Sequence, residues 1–496
     1  MVRSVVRGIL PGVLALSLSA GAALAQRPAE TLFPTVVPRL SLGMVPDSTA
    51  AQRATACPDC NPPKHLGWAF AQLMIVQAVP LIFNNVVRGE VWAKITPDTW
   101  YDNLQNPWQW DENAFLNNQF SHPYHGNLYF NAARTNGYGF WESVPWAFGG
   151  SLMWELFGEA WAPAPNDLWM TSLGGIALGE MLYRASSLTL DNTATGTERV
   201  FREIGATLLN PIRGFNRLIR GQMNDVVENP PEWRPSFVQA ALDVGYRRIG
   251  DKSAFDFGSD NSSEGAFALF RLWHGDMLQE ITNKPFSHFL VQGEIGSQKA
   301  QAESRRLSRL TAIGTLGGVV LKGEKEAPSQ VLGGFLKYEY WSNPAVEWGG
   351  QSIRGGWIGR FGDVTGFSLQ LDALGSFYPI SAVRSDYFIT EEGRDYDYGV
   401  SMGAHGFMRA TWYPRVFFTL GYDLMHQWTI DGEKSQHTVG GGNAELRIMA
   451  TRALSVGASY FNFHRWSRYR SQMDIDQNSP HLWLYAGVAI PSLNWK

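Results

Sequence analysis

The chain has 496 residues, with 41 Lys and Arg against 45 Asp and Glu, and only 17% of it is charged. No basic run or patch is present, which excludes a surface built to hold nucleic acid. Gly (51), Trp (20), Tyr (17) and Phe (28) are abundant, a composition that membrane β-barrels share with some soluble β-sandwiches, so the pattern along the chain has to separate the two.

Arg3 and Arg7 precede an apolar run from Ile9 to Leu24, which ends in Ala23-Leu24-Ala25. A basic start, a short apolar core and small residues before the cut predict a secretory signal peptide, residues 1–25. A retained anchor is the rival, disfavoured by the shortness of the run. The residue after the cut is Gln26 rather than Cys, so lipid attachment there is not indicated. Residues 26–63 read as an irregular leader rich in Pro, Ala, Thr and Ser. The leader holds Cys57 and Cys60 in Cys-Pro-Asp-Cys, and in an exported chain a disulfide stapling a turn is the first expectation. A redox site would need the motif to open a helix after a strand, and zinc would need two further ligands, of which His65 is one.

Residues 64–228 read as a helical domain. From His65 to Val87 the chain is apolar nearly all round and long enough to cross a membrane, but Gln72, Gln77 and Pro80 interrupt it. A buried core helix kinked at Pro80 is expected, with an inner-membrane span as the rival. Trp100 to Phe120 reads as a loop with short helical turns. Then comes the densest stretch, His122 to Ser143. Pro123 disfavours the α conformation at His122, so an extended or turn entry is expected there. Asn127 to Arg134 carries no Gly or Pro and fits a helix or a strand. Val144 to Glu159 reads as a helix with Glu155 and Glu159 on one face. Asn166 or Asp167 caps a further helix to Arg184, in which Gly174, Gly175 and Gly179 permit close helix–helix approach. A third helix, from about Thr195 to Arg220, is rich in arginine (Arg199, Arg202, Arg213, Arg217, Arg220) and is kinked or split at Pro211. Its charges suit a solvated face, or the phosphates of phospholipid or lipopolysaccharide.

At Asn229-Pro230-Pro231 the period changes, and Pro230-Pro231 predicts a tight turn into a first strand. Residues 229–496 hold about twelve alternating segments separated by Gly, Pro, Asn, Asp or charged turns. In Arg415 to Trp428 the residues Val416, Phe418, Leu420, Tyr422 and Leu424 fall on one face, with Thr419, Gly421, Asp423 and Gln427 on the other. Tyr338, Tyr340, Trp341, Trp357, Trp412, Tyr413 and Trp428 gather at segment ends, as interfacial girdles do. The fold class is therefore α+β: an N-terminal helical domain followed by an antiparallel transmembrane β-barrel of about twelve strands. A β-sandwich is the alternative, because Glu264 to His274 and Val346 to Phe361 alternate poorly. The strand-region histidines (His274, His288, His405, His426, His437, His464, His481) have no ligand spacing and read as lumen or turn residues.

The strings His122-Pro123-Tyr124-His125-Gly126, Tyr129-Phe130-Asn131-Ala132-Ala133-Arg134, Asn136-Gly137-Tyr138 and Phe140-Trp141-Glu142-Ser143 resemble the bacterial family of domain of unknown function 3943. So do Asn166-Asp167-Leu168 and Gly174-Gly175-Ile176-Ala177-Leu178-Gly179-Glu180. The resemblance covers about Pro107 to Ser187 and implies an envelope setting. It implies no activity.

Three constellations compete at the central stretch. His122 and His125 with Glu142, Glu155, Glu159 or Asp167 could ligate a metal, although no His-Glu-x-x-His helix is present and the ion stays unknown. Ser143 with a histidine base and Glu142 or Asp167 could act as a hydrolase or acyltransferase nucleophile, although no Gly-x-Ser-x-Gly surrounds it. The third reading is structural: Arg134, Glu155, Glu159 and Glu180 with the imidazoles form a buried network that fixes the helices, as buried polar groups normally do. The expectation is a non-enzymatic outer-membrane protein, pore-like or lipid-contacting, whose helical domain caps or partly plugs the barrel or lies against the membrane. Its partner would be membrane lipid, with phospholipid or lipopolysaccharide contact and no nucleic acid, cofactor or fixed oligomeric state implied. An outer-membrane lipid hydrolase or acyltransferase and a periplasmic location are the alternatives.

Overall fold

The computed structural model describes residues 57–490 apart from 236, 251–252, 256–261, 282, 297–306, 326 and 344. The expected signal peptide and most of the expected leader lie outside the described residues. Cys57 and Cys60 are joined by a disulfide.

Eight helices follow: α1 (Leu66–Ile82), α2 (Pro97–Gln105), α3 (His122–Arg134), α4 (Phe140–Phe157), α5 (Pro165–Trp169), α6 (Gly175–Thr189), α7 (Gly196–Leu209) and α8 (Pro211–Ile219). Pro80 sits inside α1, and the next six residues, Phe83–Arg88, widen to π-type pairing. Contrary to the extended entry expected at His122, that residue opens α3. Pro123 occupies the first turn, where a missing N–H costs nothing. Pro211 splits the arginine-rich segment by opening α8. Small residues set the packing where α3 meets α6. A Cβ on Gly126 would lie 1.8 Å from the Thr171 carbonyl oxygen, and one on Gly175 would lie 2.4 Å from the Gly126 carbonyl carbon. Phe130 fills the space over Gly179.

Twelve strands then close into an antiparallel barrel: β1 (Val238–Ile249), β2 (Ser263–His274), β3 (Phe289–Gly296), β4 (Leu307–Glu324), β5 (Ala327–Ser342), β6 (Glu347–Gly362), β7 (Phe367–Arg384), β8 (Tyr396–Trp412), β9 (Val416–Asp431), β10 (Ser435–Met449), β11 (Leu454–Tyr469) and β12 (Ile475–Ile490). β1 pairs with β12, so no edge remains and the sandwich alternative is overturned. The poorly alternating segments are β2 and β6 all the same. Strand identity there is carried by the neighbours on both sides.

Alternation assigns two faces. On β5, Lys337, Glu339 and Trp341 point into the lumen, and Leu336, Tyr338 and Tyr340 point out. On β9, Asp423 and Gln427 are inward, whereas Leu420, Tyr422 and Trp428 are exposed on the wall. Trp341 was expected in an interfacial girdle. It lies instead in the lumen, 5.7 Å from Phe463 across the barrel. His437 and His405 are lumen residues bonded to Asp397 and Asp423, while His426 and His464 are on the outer wall beside Thr438 and Tyr422.

The helical domain packs against the outward side chains and does not enter the lumen, which corrects the expected plug. Phe115, Phe130, Phe140, Met170, Ile176 and Met181 share one apolar core with Phe286, Phe289, Ala312, Leu336, Tyr338, Tyr340, Ile380, Ala382, Tyr396 and Tyr398. Phe286 belongs to the β2–β3 connection on one rim, and Ala382 and Tyr396 flank the β7–β8 connection on the opposite rim. The domain therefore lies on the wall as a band that reaches one rim at β3 and the other at β8, and it leaves Leu332, Ile353 and Met402 exposed beside it.

Candidate functional site

The polar centre of the helical domain is built where α3, α5 and the turn before α6 meet the barrel wall. His122 Nδ1 lies 3.2 Å from the Thr171 hydroxyl, and its Nε2 lies 3.8 Å from Asp167 Oδ2. Asn166 donates to Asp167 at 2.7 Å and to the Tyr398 hydroxyl at 3.1 Å. Asn118 likewise donates to Asp111 at 2.7 Å and to the Tyr396 hydroxyl at 2.8 Å, and the backbone N–H of Asp111 donates to Asn166. The Tyr338 hydroxyl donates to the Gln119 carbonyl. These bonds tie helix ends to β5 and β8 through three outward tyrosines.

Of the catalytic candidates singled out in the sequence, only His122 and Asp167 converge. His125 turns to the other side of α3, where it contacts the Val76 carbonyl, the Tyr129 hydroxyl and the face of Trp154. Glu142 is exposed and pairs with Lys64 at 2.6 Å. Ser143 is buried, and its hydroxyl donates to the Gly139 carbonyl. Ser143, Glu142 and the histidines therefore form no nucleophile–base set. Thr171 stands in hydroxyl contact with His122, but at 3% exposure it is sealed from any substrate. Among the described residues no group of three or more His, Cys, Asp or Glu is placed to hold a metal ion.

Glu155 accepts the Ala164 N–H at 2.8 Å, which holds the link between α4 and α5.

The cations of the domain form separate networks. Glu180 receives Arg134 at 2.7 Å and Arg184 at 2.9 Å, and Arg184 also donates to the Pro285 carbonyl in the β2–β3 connection. Glu203 receives Arg199 and Arg217. The arginines expected on a solvated face of α7 and α8 are thus turned inward. Arg134, Glu180, Glu155 and Glu159 belong to two networks and not to one.

The lumen is the second candidate, and it is occupied. Lys337 and Arg354 meet Asp423 across the barrel at 3.5 and 3.0 Å, and Arg271 and Arg447 reach both Asp243 and Glu445. Trp341, Phe461, Phe463, Trp483, Phe267 and Tyr485 fill the space beside them. Met277 and Leu278, from the β2–β3 connection, pack on Val331, Phe335 and Ile358 at one mouth. Ala345 and Val346 turn inward at the other. Only a small recess lies between Arg247, Glu294, Arg309, Trp341 and Trp483.

The sequence reading missed Asp111, Asn118, Thr171, Tyr396 and Tyr398. Tyr396 and Tyr398, two residues apart, are legible as sharing a strand face, but nothing local marks that face as covered.

Residues 107–212 match the family model described as a domain of unknown function, DUF3943. No curated protein matches the chain. Among solved structures it is similar to an outer membrane channel from Pseudomonas putida F1, at 12% identity over 53% of this chain and 99% of that one, with a TM-score of 0.30. It is similar also to the NanC porin (8%, covering 50% and 98%, TM-score 0.27) and to the KdgM porin (11%, 50% and 98%, 0.24). With scores this low, nothing about these proteins is carried over to this chain.

Proposed function

We infer that the protein is an outer-membrane barrel that works at its outer wall, in contact with membrane lipid, and that its lumen is not a conducting path. The observation that carries this reading is the occupied lumen: charges from opposite strands meet inside it while the helices stay outside. Barrels of about eight strands are filled by side chains alone, and in this wider one the bridging charge pairs and the aromatic rings of Trp341, Phe463 and Trp483 take up the added space. The wall away from the helices is apolar at Val244, Leu420, Leu446, Val456 and Leu484, all exposed, as lipid-facing positions of a membrane barrel are. The role is non-enzymatic: His122 and Asp167 join α3 to α5, and Asn118, Asn166 and Gln119 lock those helix ends to the wall tyrosines. Buried groups bonded in this manner rigidify a unique arrangement.

Fractionation of the producing cells tests the location. The chain should appear in the outer membrane and migrate on gels in a heat-modifiable manner, and recovery from the soluble periplasm overturns it. Planar-bilayer recording of the purified full chain tests the lumen: no steady single-channel current is expected. Regular open steps in the unmodified chain refute the closed lumen.

A further inference from the structure

The helical domain is built inside out. On α1, Gln72 and Gln77 are buried, and Phe70, Ile75, Val79 and Ile82 face outward, Val79 with 61% of its surface exposed. The most apolar 18-residue window of the run 66–88 has a mean hydropathy of 1.8, yet only 28% of it is buried, so it is not the buried core helix that its composition suggests. On α7, Arg199 and Glu203 are buried as partners while Phe201 and Ile204 face out, Phe201 at 63%. On α8, Arg213 and Arg217 are inside, and Phe215 and Leu218 are outside. Water selects the opposite arrangement. An apolar surface spread over three helices exceeds what a soluble monomer leaves uncovered.

We propose that this outward face is a lipid face, with the acyl chains of the surrounding bilayer as its partner. The inference rests on the reading of the barrel as membrane-spanning and adds where the helices lie. Where the domain lies on the wall a bilayer that rings the barrel meets the helices, and beside it the strands stay bare at Leu332, Ile353 and Met402. The outward residues of the helices then continue the apolar wall formed by Val244, Leu420 and Leu484. The buried arginines follow from the same placement, since a charge in contact with hydrocarbon is costly and pairs inside instead. Glu203 supplies the inward partner of Arg199 and Arg217, and Arg213 donates to Ser186, Ser187 and the Tyr183 carbonyl.

The test uses the full chain in phosphatidylcholine–phosphatidylethanolamine vesicles, with a nitroxide on one new cysteine at a time. The sites are Ile75→Cys, Ile204→Cys and Leu218→Cys on the helices, Leu420→Cys on the bare wall and Glu391→Cys in the β7–β8 connection. The Cys57–Cys60 disulfide leaves each new thiol as the labelling site. Collision rates with oxygen and with a water-soluble nickel chelate report the surroundings. The helix labels should give the oxygen-to-nickel ratio of Leu420, several-fold above that of Glu391. Nickel-accessible helix labels beside a lipid-exposed Leu420 overturn the proposal and leave the barrel reading standing. Dipolar broadening that vanishes on dilution with unlabelled chain also overturns it, assigning the face to a second copy. A nickel-accessible Leu420 instead removes the membrane-spanning reading on which the proposal rests.

Discussion

Replacing Gly126 by alanine puts a methyl group where α3 crosses the turn into α6. The new Cβ would lie 1.8 Å from the Thr171 oxygen, 2.7 Å from its carbonyl carbon and 3.1 Å from the Gly175 Cα. All three are backbone atoms, which cannot swing aside as a side-chain tip can. The helices must part by roughly 1–1.5 Å to restore ordinary contact, and that shift loosens Phe130 on Gly179 and on Phe140 as well. Overpacking of this kind costs about 1–3 kcal/mol, and the backbone clash places Gly126→Ala at or above the top of that range. Gly175→Ala strains the same crossing, so the double variant should cost less than the sum of the single ones. Gly149→Ala is the control: its Cβ meets nothing within 4 Å in the middle of α4, and replacing a helical glycine there should stabilise by about 0.5–1 kcal/mol. The assay is the midpoint of the helical transition in far-ultraviolet circular dichroism of the full chain in detergent. A Gly126→Ala midpoint equal to that of Gly149→Ala refutes the close crossing.

Two further outcomes follow from the buried polar groups. Glu180→Ala strands Arg134 and Arg184 without their carboxylate and should destabilise the helices by about 3–5 kcal/mol, read by the same midpoint; a loss no larger than that of the exposed Glu198→Ala removes the network from the account. The bonds to the wall give a second: Tyr396→Phe and Tyr398→Phe together remove the hydroxyls that Asn118 and Asn166 meet, and should lower the same midpoint by about 1–3 kcal/mol; an unchanged midpoint contradicts a polar lock on β8.

Much of the barrel was legible because period two is local: Val416 to Leu424 identify an outward face without knowledge of any partner. The strand-by-strand direction of Tyr338 and Trp341 was equally implicit, since adjacent odd and even positions must face opposite ways. What covers each face was not. Tyr338, Tyr396 and Tyr398 look like interfacial aromatics, and only the tertiary fold places Gln119, Asn118 and Asn166 on them. The inverted helices misled for a related reason. Arginine on α7 and α8 was read against water as solvent, where charge faces out, whereas Arg199 and Arg217 pair inward on Glu203. At the candidate site, His122 and Asp167 are 45 positions apart and converge through α3 and α5, while the adjacent Glu142 and Ser143 diverge. Sequence proximity favoured the second pair, and helix geometry selected the first.

The central claim is that the helical domain rides on the outer wall of the barrel and not in its lumen. A Cβ on Gly349 would lie 2.2 Å from Gln119 Oε1 and 2.6 Å from its Cγ, within the reach of a disulfide, and Gly349 is on the wall face opposite to the inward Glu339. The full chain carrying Gln119→Cys and Gly349→Cys should cross-link in the membrane under mild oxidation, and the chain carrying Gln119→Cys and Glu339→Cys should not. Cross-linking to position 339 with none to position 349 would put the helices inside the barrel and contradict the account.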